Sequence, residues 1–152
     1  MRHGLQPYAR AGLALSVLLT MGVATSTAAE PPTACSALLS PGVCYQRYLQ
    51  QIARATRLAD LHAFLTAERV QLLERGLARA REAGIDAAQI EQTTLQLLQR
   101  GVGTPGRIRE QRFAHEASLW IDRPGLTVEV RLVIEDNRWR IADERFRETP
   151  QF

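Results

Sequence analysis

The sequence predicts an α+β domain in two layers, with N-terminal helices packed on a curved antiparallel sheet that runs as a meander. Three observations carry this. Apolar residues recur at helical spacing from Tyr45 to Leu98. From Ile108 onward the period changes to two. Two turn signals, Pro124-Gly125 and Asp136-Asn137, divide the alternating part into strands. A meander with one apolar face must be covered, and the helices are the elements available to cover it.

Tyr45, Tyr48, Leu49 and Ile52 open the first helix. Leu58, Leu61, Phe64 and Leu65 mark a second short turn. Either Asp60 starts it or the first helix continues; the pattern fits both. Thr66 suits the cap of the next helix, whose face is Val70, Leu73, Leu77 and Ala80 and whose stop is Gly84. Asp86 then caps a third helix. Gln89 lies three residues on to reach back, and Ile85 is set to pack on Ile90, a capping box with a hydrophobic staple. Ile90, Thr94, Leu97 and Leu98 continue that face, and Gly101 ends it. Gly103, Pro105 and Gly106 make a breaker loop.

In the alternating part, Phe113, His115, Ala117, Leu119 and Ile121 share one parity, with Glu116 and Ser118 opposite. The segment from Arg107 to Asp122 supplies one strand or two. Leu126, Val128, Val130, Leu132 and Ile134 form the cleanest strand face, against Thr127, Glu129 and Arg131. A last strand carries Trp139 and Ile141, then Phe146 on the opposite parity, which predicts a bulge or bend near Asp143.

The N-terminus has its own logic. Arg2 and Arg10 flank a polar start, an apolar run covers Ala11 to Val23, and small residues follow to Ala29. That order predicts a secretory signal over residues 1–29. The run is shorter than the roughly 20 residues a membrane anchor needs. A lipid anchor on Cys35 would need an aliphatic residue where Pro32 and Thr33 stand. Residues 30–44 read as an irregular lead segment, with Pro41 and Gly42 turning the chain so that Cys35 and Cys44 pair in an oxidising compartment. Residues 45–152 then form a single α+β domain, periplasmic or secreted, with no integral span after cleavage.

Charge excludes several functions. The chain has 19 basic and 16 acidic residues, and every basic one is Arg. Without lysine there is no Schiff-base or P-loop chemistry. Removing Arg2 and Arg10 leaves 17 against 16, a net charge of +1, which makes no footprint for nucleic acid.

The order of elements from Tyr45 to Glu148 resembles the nuclear transport factor two-like superfamily, cone-shaped α+β domains that include many small exported bacterial proteins. The carriers are Asp60-Leu61-His62-Ala63-Phe64-Leu65, Val130-Arg131-Leu132-Val133 and Arg138-Trp139-Arg140-Ile141. The resemblance implies that Trp139 and Ile141 are core residues under the helices. It implies no function, because that fold hosts enzymes, ligand binders and interaction modules alike. The early strands usual in the group are hard to find in this chain.

His115 is the candidate for chemistry. Its parity points it toward the helices, where a cone-shaped fold has a pocket, and an imidazole oriented by Asp60 or Asp143 would serve as a general base. His62 and His115 show no metal-ligand spacing, so no metal and no cofactor is expected. Trp120 lies on the face opposite Leu119. Together with Arg131, Arg138 and Arg140 it marks a candidate contact surface for a protein partner in the cell envelope. The reading that follows is a non-enzymatic exported binding protein, inhibitor-like or immunity-like. The alternative is a ligand-binding or enzymatic pocket that uses His115.

Overall fold

The computed structural model describes residues 35–103 and 106–148. The expected signal segment, and residues 30–34 of the lead segment, lie outside the described residues. Among the described residues, three α-helices and a 3-10 helix precede four strands: α1 (Pro41–Arg54), the 3-10 helix (Leu58–Phe64), α2 (Ala67–Glu82), α3 (Ala87–Gly101), β1 (Ile108–Arg112), β2 (Glu116–Arg123), β3 (Leu126–Glu135) and β4 (Arg138–Glu148). The strands form one antiparallel sheet in the order β1-β2-β3-β4, the α+β meander that the periodicity predicts.

Helix α1 begins four residues before the first apolar repeat. Ser40 accepts a hydrogen bond from the Val43 N–H at 3.2 Å, and Pro41 takes the first helical position, where its fixed φ fits. Pro41 and Gly42 therefore start the helix and do not reverse the chain. The cysteines still pair: the Cys35–Cys44 disulfide ties the lead segment to the first turn of α1. The 3-10 helix is separate from α1, because Ala55 is extended. Thr66 caps α2 and Asp86 caps α3, as the sequence predicts. Leu97 is corrected: it is 62% exposed, and α3 instead buries Ala87 and Leu95.

The segment between Arg107 and Asp122 makes two strands. Phe113 N–H donates to Glu116 O at 2.7 Å and closes the turn between them. Gly125 takes a φ of 71°, and Asp136 and Asn137 take 50° and 58°, so both later turns form where expected. The register of β4 against β3 shifts opposite Arg131 and Leu132, the bulge that the parity of Phe146 demands.

One sheet face packs on the helices. Ala117, Leu119 and Ile121 from β2, Val128, Val130 and Leu132 from β3, and Trp139 and Ile141 from β4 are buried there. They meet Tyr45, Tyr48, Leu49 and Ile52 of α1 and Leu58, Leu61 and Phe64 of the 3-10 helix in one core. Burial of apolar surface at roughly 25 cal/mol per Å² is what drives the two layers together.

Charged side chains then fix the helix ends. Glu110 of β1 accepts from the Gly42 N–H at the start of α1 at 3.0 Å. Glu135 of β3 accepts from the Ala67 N–H at the start of α2 at 3.2 Å. Arg123 donates to Gly101 O at the end of α3, and Arg140 donates to His62 O and Ala63 O at the end of the 3-10 helix. Carboxylates meet the positive helix ends and guanidinium groups the negative ones, as the helix dipole favours.

Candidate interaction surface

The alternation of β1 to β4 sends the second set of side chains to the face away from the helices. Trp120 of β2 sits there, with Arg109 of β1 and Glu129 of β3 as its cross-strand neighbours. Ser118, Arg131 and Asp143 form the next row. Among the described residues no helix covers this face.

The charges on it pair with one another. Arg109 meets Asp122 at 3.1 Å, Arg131 meets Glu116 at 3.5 Å, Arg145 meets Asp143 at 2.8 Å and Arg147 meets Glu129 at 2.8 Å. The Arg145 side chain, with the backbone N–H of Glu144, holds the Asp143 carboxyl below the usual carboxylate range. Each exposed pair contributes little to stability, about 0–1 kcal/mol. Together they keep the face neutral and give it a fixed pattern of donors and acceptors. A depression of about 80 Å³ opens between Ser118, Glu129, Arg131, Asp143 and Arg145.

Of the four residues the sequence singles out for contact, the structure brings Trp120 and Arg131 onto this face. Arg138 is exposed beside the β3–β4 turn. Arg140 is half-buried and committed to the carbonyls of the 3-10 helix. Arg109, Glu129 and Asp122 complete the surface and were not singled out; the alternation of β2 and β3 carried that signal. Trp120 stands opposite Glu129, and Val133 is opposite Glu116.

His115 requires a correction. It lies in the β1–β2 turn and is exposed. The turn breaks the parity that linked it to Ala117, and β1 directs Ile108, Glu110 and Arg112 toward the helices instead. Its proposed partners are engaged elsewhere. Asp60 accepts from Thr56 N–H at 2.9 Å and Arg57 N–H at 3.0 Å, which lower its pKa, and Asp143 lies on the outer face. His62 is half-buried at the edge of a depression of about 320 Å³ with Val70, Glu135 and Arg140.

The helix-facing side holds a polar cluster that the sequence reading missed. The bulge turns Glu144 inward, where its side chain is 8% exposed. It accepts from Arg69 Nη2 at 2.7 Å, from the Tyr45 hydroxyl at 3.0 Å and from the Tyr48 hydroxyl at 3.5 Å. Burial, followed by the Glu144 charge, pushes both phenols well above the usual tyrosine range. They are locked as donors, and the carboxylate is engaged by three groups. This arrangement holds elements together and offers no free base or nucleophile. The inward side of Glu144 alone was signalled: once a bulge near Asp143 is placed, Glu144 shares the face of Phe146.

No family model matches the chain, and no curated protein or solved structure matches it either.

Proposed function

We propose that the chain is an exported, non-enzymatic protein that works by holding a partner protein against the uncovered face of its sheet, in the manner of an inhibitor or immunity protein. The observation that carries this reading is the position of Trp120. It is a half-buried aromatic at the centre of an uncovered sheet face, framed by Arg109, Glu129 and Arg131. Aromatic and arginine side chains are enriched at the energetic centres of protein contacts, the rings because they bury large area with few rotors and the guanidinium because it presents several planar donors. The engaged state of Glu144 supports the same reading, since the interior position suited to a ligand is filled by the chain's own side chains. Export is supported by the apolar N-terminal run and by the disulfide. The order of helices before a bulged meander supports placement with the nuclear transport factor two-like domains.

Photocrosslinking in the intact cell envelope tests this. A photoreactive phenylalanine in place of Trp120 is expected to give one discrete protein adduct. The same group in place of Gln92, on the exposed side of α3, is expected to give none. Arg131→Glu should abolish the Trp120 adduct. Equal labelling from both positions, or none from position 120, would overturn the reading.

A further inference from the structure

Among the described residues, the outer edge of β4 is guarded along its first half and open along its second. Ser36 bridges Arg138, and the Trp139 N–H donates to Cys35 O at 2.8 Å. Leu65 bridges Ile141, and the Thr66 N–H donates to Ile141 O at 3.1 Å. Beyond the bulge, Glu144 closes its own N–H on Asp143 Oδ1 at 3.0 Å. From there the edge-directed backbone groups are the Glu144 carbonyl and the N–H and carbonyl of Phe146 and Glu148. These residues follow the parity of Trp139 and Ile141, whose backbone groups meet the lead segment and Thr66. Among the described residues nothing pairs with that stretch.

The side chains around it set its chemistry. Phe146 is 65% exposed on the helix-facing side. Arg145 and Arg147 point to the outer side, with side chains 68% and 66% exposed. Arg145 uses Nε and Arg147 uses Nη2 for their ion pairs, so each guanidinium keeps further donors for a neighbour.

This pattern disfavours a second copy. An antiparallel pair centred on Phe146 would set Arg145 against Arg147 and Glu144 against Glu148. Centring on Arg145 or Arg147 would set that arginine against itself, and parallel in-register pairing would do so for both. Like charges directly opposite destabilise a strand pair, a device that blocks self-association at edges.

We propose that this edge, Glu144 to Glu148, receives an extended segment of the partner protein by strand addition, and that the segment alternates acidic side chains facing Arg145 and Arg147 with an apolar one beside Phe146. This rests on the reading of the chain as an interaction protein and names how the partner binds. Main-chain hydrogen bonds supply affinity in such contacts, and alternate side chains supply selectivity.

The test uses the peptide Ser-Thr-Glu-Val-Glu-Thr-Ser and its counterpart with lysine in place of both glutamates, read by amide hydrogen exchange. The acidic peptide should slow exchange at Phe146 and Glu148 about fivefold at a concentration of about four times Kd. The basic peptide should have no effect. In the double variant Arg145→Glu and Arg147→Glu, with amide shifts elsewhere unchanged, the preference should invert. Three outcomes would overturn the proposal: no protection at peptide concentrations on the order of millimolar, equal protection by both peptides, or protection that grows with protein concentration alone. A Trp120 crosslink without edge protection would leave the interaction reading standing and remove only strand addition.

Discussion

Arg69 on α2 donates to the Glu144 carboxylate on the bulged half of β4 at 2.7 Å, across 75 residues of sequence. The pair clamps α2 to the last strand, alongside the bond from Thr66 N–H at the α2 cap to Ile141 O, and the hydroxyls of Tyr45 and Tyr48 bring α1 to the same carboxylate. One acidic side chain therefore joins both helices to the sheet. Arg69 Nη1 is buried without a partner among the described residues, so the guanidinium depends on Glu144 for its compensation.

Removal of Glu144 should be costly for that reason. Glu144→Ala leaves a partly buried guanidinium and two hydroxyls without an acceptor. The expected loss is about 2–4 kcal/mol, placed below a fully buried pair because the Arg69 side chain is 26% exposed. Glu144→Gln keeps an acceptor and should lose about half as much. Urea denaturation of the single variants and of Glu144→Ala with Arg69→Met measures the coupling. The double variant should lose less than the two single losses combined, and strict additivity would show that the pair does not couple α2 to β4.

The same cluster sets an alkaline limit. Tyr45 and Tyr48 have folded-state pKa values raised above the ordinary value near 10, first by burial and then by Glu144. The folded state thus holds protons that the unfolded state releases. Stability is fully present below about pH 10 and falls as the pH rises through and beyond it, by about 1.4 kcal/mol per pH unit for each tyrosine. In a chain of residues 30–152 these are the only tyrosines in the sequence. Phenolate absorbance should therefore appear together with loss of far-ultraviolet ellipticity. Phenolate appearing while the fold persists would refute the assignment.

The disulfide acts on a defined region. Cys35 and Cys44 are buried, and Cys35 and Ala37 exchange backbone bonds with Trp139 and Asn137. The Trp139 indole donates to Leu39 O at 3.0 Å, and the Arg112 guanidinium lies 5.2 Å from the Trp139 ring centre. Converting both cysteines to serine should cost roughly 2.5–3 kcal/mol by loss of the closed loop. The Ala37 and Trp139 amides should lose exchange protection before those of β2 and β3. Uniform loss across the sheet would mean that the staple supports the whole fold and not the lead segment alone.

The sequence displayed most of the architecture because period and punctuation agree in it. Leu126 to Ile134 alternate with a single break at Val133, Gly84 and Asp86 bracket a helix junction, and the parity of Phe146 announces the bulge. What failed did so where a turn interrupted an alternating run. Phe113 and His115 share parity with Ala117 in the sequence, but the turn closed by Phe113 and Glu116 removes both from the inner face. The start of α1 was hidden because Pro41-Gly42 suits a turn as well as a helix start, and the Ser40 cap decides it. The Glu144 cluster needed a contact between residues 75 to 99 apart in the chain, which no local pattern reports. Trp120 and Arg131 were legible by simple alternation, whereas Arg140 was drawn away by the carbonyls of the 3-10 helix.

Two glycines should respond to alanine with opposite signs. A Cβ at Gly106 would lie 1.6 Å from the Asp122 carbonyl oxygen, which belongs to the β2 backbone and cannot rotate away. The Asp122 N–H also donates to Arg107 O at 3.0 Å, so the β1 side of this approach is held in place. Gly106→Ala must spread β1 from β2 or bend the chain before Ile108, and should destabilise by at least about 2 kcal/mol. Gly76 lies within α2 with nothing inside 4 Å of a Cβ. There alanine meets no neighbour, reduces the freedom of the unfolded chain and suits a helix. Gly76→Ala should therefore stabilise by about 0.5–1 kcal/mol. Chemical denaturation of the two variants side by side gives the test. A neutral Gly106→Ala would mean that β1 does not approach Asp122 as closely as the fold requires.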